Sequence, residues 1–277
     1  MKKRLRNVVI LCLIVATLVL TTSCNEPQNE GTTPEDSTTL PAVADTPVSE
    51  GLAFAVNEDG KTCTITGIGT CTDTKIYIPE RIEGYSVTCI GQQAFADNTS
   101  LTFVSIPDSV TSIYSTAFKG CTALLETENG ISYVDKWVVK GDHSITTASL
   151  RENTVGIAEG SFAFCVGLKD VILPDSIKYI DAMAFYSCHS LTNVVLPQHI
   201  ECITDTSFSK CKNLQSIQFS AAVISIEGYA FEYCSALTEI RFLGTVAQWN
   251  AIEKGINWNS QTGEYTVHCS DGDVTKQ

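Results

Sequence analysis

The sequence predicts a repeat solenoid, a single elongated domain in which about eight short strands stack into one parallel β-sheet. Two observations carry this. The phrase I-x-x-x-A/S-F recurs at Ile90–Phe95, Ile113–Phe118, Ile157–Phe162, Ile180–Phe185, Ile203–Phe208 and Ile226–Phe231, at a 23-residue step with one interval of 44. Self-similarity at a period of 20–50 residues marks units that bury their apolar side only against their neighbours. A short V-x-L-P-like strand precedes each phrase. Its core positions line up at Val104, Val171, Val194, Ile217 and Ile240.

The first 23 residues read as an export signal. Lys2, Lys3, Arg4 and Arg6 precede 13 residues from Val8 to Leu20 that are nearly all apolar. That run suits a signal peptide and falls short of the ~20 residues a spanning helix needs. Thr21-Thr22-Ser23-Cys24 then resembles a bacterial lipobox, which would make Cys24 a lipidation site, although Leu20 lies four residues before the Cys rather than three; simple secretion with cleavage nearby is the alternative. Residues 24–50 hold four prolines, many Thr, Ser and acidic residues, and no Lys or Arg. Such a segment cannot bury enough apolar surface to offset chain entropy, so it reads as a disordered, lipid-anchored tether.

Residues 51–89 are expected to form an N-terminal cap and a first coil. Phe54–Val56 and Cys63–Ile65 flank the turn Asn57-Glu58-Asp59-Gly60 as a hairpin, and Ile76-Tyr77-Ile78-Pro79 supplies the first strand. The repeats run over 90–243. In each, alternate strand residues face inward, a proline lacking an amide hydrogen ends the strand, and Ala or Ser leaves room for the following Phe in an internal stack. The 44-residue interval is 23 plus 21 and reads as a degenerate coil at 125–156. Ile145–Leu150 is its strand, and Ile131–Val134 with Trp137–Val139, turning at Asp135-Lys136, covers the missing Phe. Residues 244–277 read as a C-terminal cap and tail, with Thr245 starting a helix over 246–254, a strand at 264–268, and Trp249 and Trp258 over the end of the core.

The frame C-x-x-L-x-x-V-x-L-P-x-S-I-x-x-I-x-x-x-A-F, from Cys165 to Phe185, resembles the treponemal-type leucine-rich repeat of BspA-like bacterial surface proteins. The resemblance covers Leu52 to Cys269, and Tyr133–Trp137 and Gly244–Trp249 are similar to that family's insert and end segment. It implies surface exposure and, for some members, attachment to host matrix proteins or other bacteria.

Charge and motifs narrow the function. The formal charge is -13. Without residues 1–23, 14 basic residues stand against 31 acidic ones, or -17. That field repels a phosphate backbone, so no nucleic-acid partner is expected. No G-x-S-x-G, H-E-x-x-H or phosphate-cradling glycine loop occurs, so no catalytic residue and no cofactor is expected. Cys188, His189, His199, Cys202 and Cys211 include no C-x-x-C, and two of them occupy a repeat position, so no metal is expected. Cys121, Cys165, Cys188, Cys211 and Cys234 recur in phase, with Asn98 and Asp142 at the same site of other coils, and read as free, buried thiols in a turn ladder.

What remains is the open face of the sheet. Phe103, Ser105, Asp170, Ile172, Asn193, Val195, Ser216, Gln218, Glu239 and Arg241 alternate with the core positions and should point outward. They vary from coil to coil while the inward positions hardly change. The sequence therefore points to a cell-surface protein that recognises an extracellular protein or glycan without catalysis, touching the membrane through its lipid anchor alone. A structural spacer is the alternative.

Overall fold

The computed structural model describes residues 47–276. The expected signal, Cys24 and most of the expected tether lie outside the described residues. The described chain is a β-solenoid of about nine turns with stacked parallel strands, as the period requires.

Each regular coil has three sides. The first is the predicted strand. Thr147–Ser149 pairs in parallel with Asp170–Ile172, and Asn193–Val195, Ser216–Phe219, Glu239–Phe242 and Thr266–Cys269 form a second parallel ladder. Val194, Ile217, Ile240 and Val267 align in register on its buried side. Pro174 and Pro197 follow two of the strands, and their carbonyls accept the amides of Ile177 and Ile200 to turn the chain. The second side is a two-residue strand ending on the repeat Ile: Gly156–Ile157 beside Tyr179–Ile180, and Cys202–Ile203 beside Ser225–Ile226.

The third side carries the Phe. The Phe162, Phe185 and Phe208 amides donate to the carbonyls of Ala184, Ser207 and Ala230 in the next coil, at 2.8, 2.8 and 2.9 Å. Phe162, Phe185, Phe208 and Phe231 stack at 5.3, 5.3 and 5.7 Å, with ring planes within 8° of parallel. The in-phase cysteines complete this side. The Cys188, Cys211 and Cys234 thiols donate to the Phe162, Phe185 and Phe208 carbonyls one coil back, at 3.2, 3.1 and 3.1 Å. Burial pushes the Cys165 thiol up to about 11 and the Cys234 thiol up to about 12, which keeps both protonated as donors. Asn98 and Asp142 serve the same site differently. Their side chains accept amides two or three residues ahead, so Cys ties coil to coil while Asn and Asp cap their own turn.

Three expectations are corrected. The strand Glu126–Glu128 does not stack in the parallel ladder. It pairs antiparallel with Ile131–Val134, which pairs antiparallel with Trp137–Gly141, so the insert is a three-stranded meander. Glu-Thr-Glu offers no apolar inward residue, and Asn129 and Gly130 at φ +50° and +78° turn the strand back. The helix after Thr245 ends at Ala251 rather than 254, because Glu253–Lys254 becomes a strand beside Ser225–Ile226. The strand expected at 264–268 runs from Thr266 to Cys269 and is followed by a further, antiparallel strand at Gly272–Thr275.

The hairpin of Ala53–Val56 and Thr62–Gly67 forms about the turn read in the sequence, with Gly60 at φ +63° and Asp59 accepting the Lys61 and Thr62 amides. Thr62–Gly67 extends the second side through parallel pairing with Tyr85–Ile90. At the other end Thr245 and Gln248 form a reciprocal capping box, and Trp258 meets Phe231 edge-on at 6.2 Å.

Candidate functional site

The open sheet face is built by strand alternation. Val104, Ala148, Val194, Ile217 and Ile240 are buried, while Phe103, Asp170, Ile172, Asn193, Val195 and Arg241 are exposed. Ser105, Ser216, Gln218 and Glu239 are half-buried. Ile172 and Val195 are 65% and 58% exposed against 40% for Phe103, so the most accessible apolar surface of the face is branched aliphatic.

The ten residues do not form one continuous row. Phe103 and Ser105 belong to a separate two-stranded ladder with Lys75–Tyr77, across the insert from the rest. The Phe103 ring lies 5.4 Å from that of Tyr77, an aromatic neighbour that sequence reasoning left out although Ile76–Pro79 had been read as a strand. Asp170 and Ile172 stand beside Thr147 and Ser149, and the Thr192 amide reaches the Lys169 carbonyl at 3.4 Å to join them to the longer ladder. There Asn193, Ser216, Glu239 and Thr266 form one outward row, and Val195, Gln218, Arg241 and His268 the other. Thr266 and His268 were also missed, because their strand follows the last repeat and falls outside the period.

Polar side chains on this face pair with one another. Ser216 Oγ donates to Asn193 Oδ1 at 2.7 Å. Glu239 accepts from Arg241 Nε, and His268 Nδ1 lies 2.9 Å from Asp273 Oδ1. At the insert, Arg151 donates to Glu128 and Glu126 at 3.0 and 2.8 Å, and its guanidinium sits 4.2 Å from the Tyr133 ring centroid. The exposed pairs contribute little stability, because solvent screens them, but they fix where charge is displayed.

Among the described residues no group of three or more His, Cys, Asp or Glu side chains could hold a metal ion. Cys188 and Cys211, which the sequence allowed to be written into a zinc set, instead spend their thiols on Phe carbonyls. Two concavities of the described surface, beside Asn129–Gly130 and beside Pro47–Ser49, are open to solvent. The arrangement offers a broad, mixed surface for contact.

The model of the BspA type leucine rich repeat region matches residues 70–141 and 132–254, in six copies. Among solved structures, a leucine rich cell surface protein from Faecalibacterium prausnitzii A2-165 is similar at 28% identity and a TM-score of 0.40, over 82% of this chain and 56% of that one. The chain thus spans little more than half the length of that relative. The Treponema pallidum leucine rich repeat protein is similar at 25% identity and a TM-score of 0.36, over 76% of this chain and 85% of that one. Among curated proteins none matches. The family match spans the coils, the insert and the start of the C-terminal segment, so this chain belongs to the BspA-type leucine-rich repeat family.

Proposed function

We propose that this protein is exported, held at the cell surface through a lipid on Cys24, and recognises an extracellular protein or glycan on its open sheet face without catalysis. The observation that carries the reading is the contrast between uniformly small or branched aliphatic inward positions and varied outward ones on the same strands. Packing demands the first and places no demand on the second. The cell-surface description of the Faecalibacterium relative supports the location. Exposed Ile172 and Val195 between charged and amide side chains suit a partner that covers a small apolar patch inside a polar surround.

The test is equilibrium binding of the purified protein to immobilised matrix proteins and to a glycan array. Phe103→Ala, Asp170→Ala, Ile172→Ala, Asn193→Ala, Val195→Ala and Glu239→Ala combined should weaken the saturable interaction by about tenfold or more. Each of Asp170→Ala and Asn193→Ala should change stability by no more than about 0.5 kcal/mol. Full binding by the combined variant would move the site off the sheet.

A second reading is a spacer with no discrete ligand. The mutual pairing of Asn193 with Ser216 and of Glu239 with Arg241, as on any solvated face, favours it. Absence of any saturable partner would decide for it. For the anchor, wild type should incorporate labelled fatty acid and partition into detergent, whereas Cys24→Ala should lose the label. Equal labelling of both would remove the anchor from the proposal.

A further inference from the structure

The insert reads differently once its burial is followed strand by strand. All four residues of Ile131–Val134 are buried. Ile131 and Tyr133 pack into the core that runs on to Val267, while Val134 packs into the core that starts at Leu52. On the next strand Trp137 joins the N-terminal core and Val138 the C-terminal one. Alternating side chains thus serve two separate apolar cores, which makes the hairpin a wall between them.

The ladders that bind coil to coil also stop here. In three other coils the amide after the main strand donates to a carbonyl of the next coil: Ile78 to Ser105, Leu150 to Ile172, Leu196 to Gln218, at 3.1, 3.2 and 2.9 Å. The strand ladder also lapses between Asp170–Ile172 and Asn193–Val195, but there one core runs on across the gap and the Thr192 amide still reaches the Lys169 carbonyl. At the wall the Ile106 amide donates instead to the Asp135 carboxylate at 2.8 Å. On the second side the Ile113 amide and Ser112 hydroxyl donate to Asp181 Oδ2 at 2.9 and 2.8 Å, and the Ile113 carbonyl accepts the Glu159 amide at 2.9 Å. The wall itself is bonded by backbone to the C-terminal coils, since Trp137 and Val138 pair in parallel with Gly156 and Ile157. Trp137 also stacks on Tyr179 at 5.9 Å.

We infer that the insert divides the solenoid into two cooperative units, which meet at a joint spliced by Asp135 and Asp181 and can open there. The N-terminal unit, with the smaller core, comes away first, and the wall stays with the C-terminal unit. Neighbour coupling sets how unfolding spreads along a solenoid. Where backbone ladders give way to a few side-chain acceptors, that spread should halt.

Buried thiols report on each unit: Cys63 and Cys121 in the N-terminal core, Cys188, Cys211 and Cys234 in the C-terminal one. Pulsed alkylation of the full chain across a guanidinium series, read by mass spectrometry, tests the inference. Cys63 and Cys121 should become reactive at lower denaturant than the other three. Asp135→Gly removes the acceptor of the Ile106 amide and suits the φ of +52° at that position. It should raise labelling of Cys63 and Cys121 in native buffer by about tenfold and leave Cys211 and Cys234 unchanged. One shared midpoint for all five thiols in wild type, or an equal shift of all five in the variant, would overturn the two-unit reading.

Discussion

Phe185→Ala is expected to destabilise the protein by about 3–5 kcal/mol, the range for removing a fully buried aromatic ring. The Phe185 ring has no solvent exposure and stands between the rings of Phe162 and Phe208, 5.3 Å from each. Its amide donates to Ser207 and its carbonyl accepts the Cys211 thiol, so its backbone is held twice from the following coil. The flanking rings do not close the vacated space, because backbone bonds on the third side fix the distance between turns, from the Phe162 amide to Ala184 before it and from the Met183 and Ser187 amides to Asp205 and Ser209 after it. The cost is therefore lost burial plus a cavity that persists. Denaturant midpoints at constant m-value measure it. A loss below about 1 kcal/mol would mean that the ring does not sit inside the stack, and the register built on it would fall.

The repeat was legible because every interior coil meets the same surroundings. A residue that contacts its own counterpart above and below experiences a periodic environment, so periodic residues report periodic contacts. Phe, Cys and the inward aliphatics obey this, and their stack and thiol ladder follow the 23-residue step. The insert breaks it. Ile131–Val134 has the length and branching of a strand and was read as one, but nothing in a single strand says that both of its faces will be buried. The bonds that splice the joint span 29, 68 and 69 residues, from Ile106 to Asp135 and from Ile113 and Ser112 to Asp181, and no period carries them. Asp181 has no distinguishing mark in the sequence. In the fold, burial pushes its carboxyl up to about 6, with Glu159 also raising it and the Ser112 and Ile113 bonds pulling the other way.

The face was legible at the level of direction and not of continuity. Alternation fixes which side chains leave the core, and it held for the parallel strands of this face but not for the meander of the insert, where Glu126–Glu128 is exposed throughout and Ile131–Val134 buried throughout. Whether adjacent strands share a ladder depends on what lies between them. The meander places its exposed Glu126 and Glu128 outside the parallel ladder, so Phe103 stands with Tyr77 rather than with Asp170. The added strand Thr266–Cys269 lay beyond the reach of the repeat because a helix and two Trp residues separate it from the last Phe.

Gly141→Phe should cost about 3 kcal/mol or more, although by the repeat it looks like a repair. Gly141 stands 23 residues after Phe118 and 21 before Phe162, at the site where every other full coil has its Phe. Its amide donates to the Ser161 carbonyl at 2.7 Å, the counterpart of the Phe162 bond to Ala184. Consensus reasoning would therefore restore the ring and expect a gain. The packing says otherwise. A Cβ on Gly141 would lie 2.5 and 2.8 Å from Cδ1 and Cε1 of Phe162, and 3.4 Å from Ile145 Cδ1. The space that a Phe would need is already filled by Phe162, Ile145 and the inward side of the wall. Since 21 residues rather than 23 separate the two sites, the coil is drawn tight there and the ring of Phe162 lies over the bare glycine. Gly141→Ala isolates the clash from the bulk and should itself cost about 1–3 kcal/mol. If Gly141→Phe instead raised the denaturation midpoint, the ring of Phe162 would have to yield and Ile145 to leave the core. The degenerate coil would then be a regular one that had merely lost its Phe, and the wall would not be a partition.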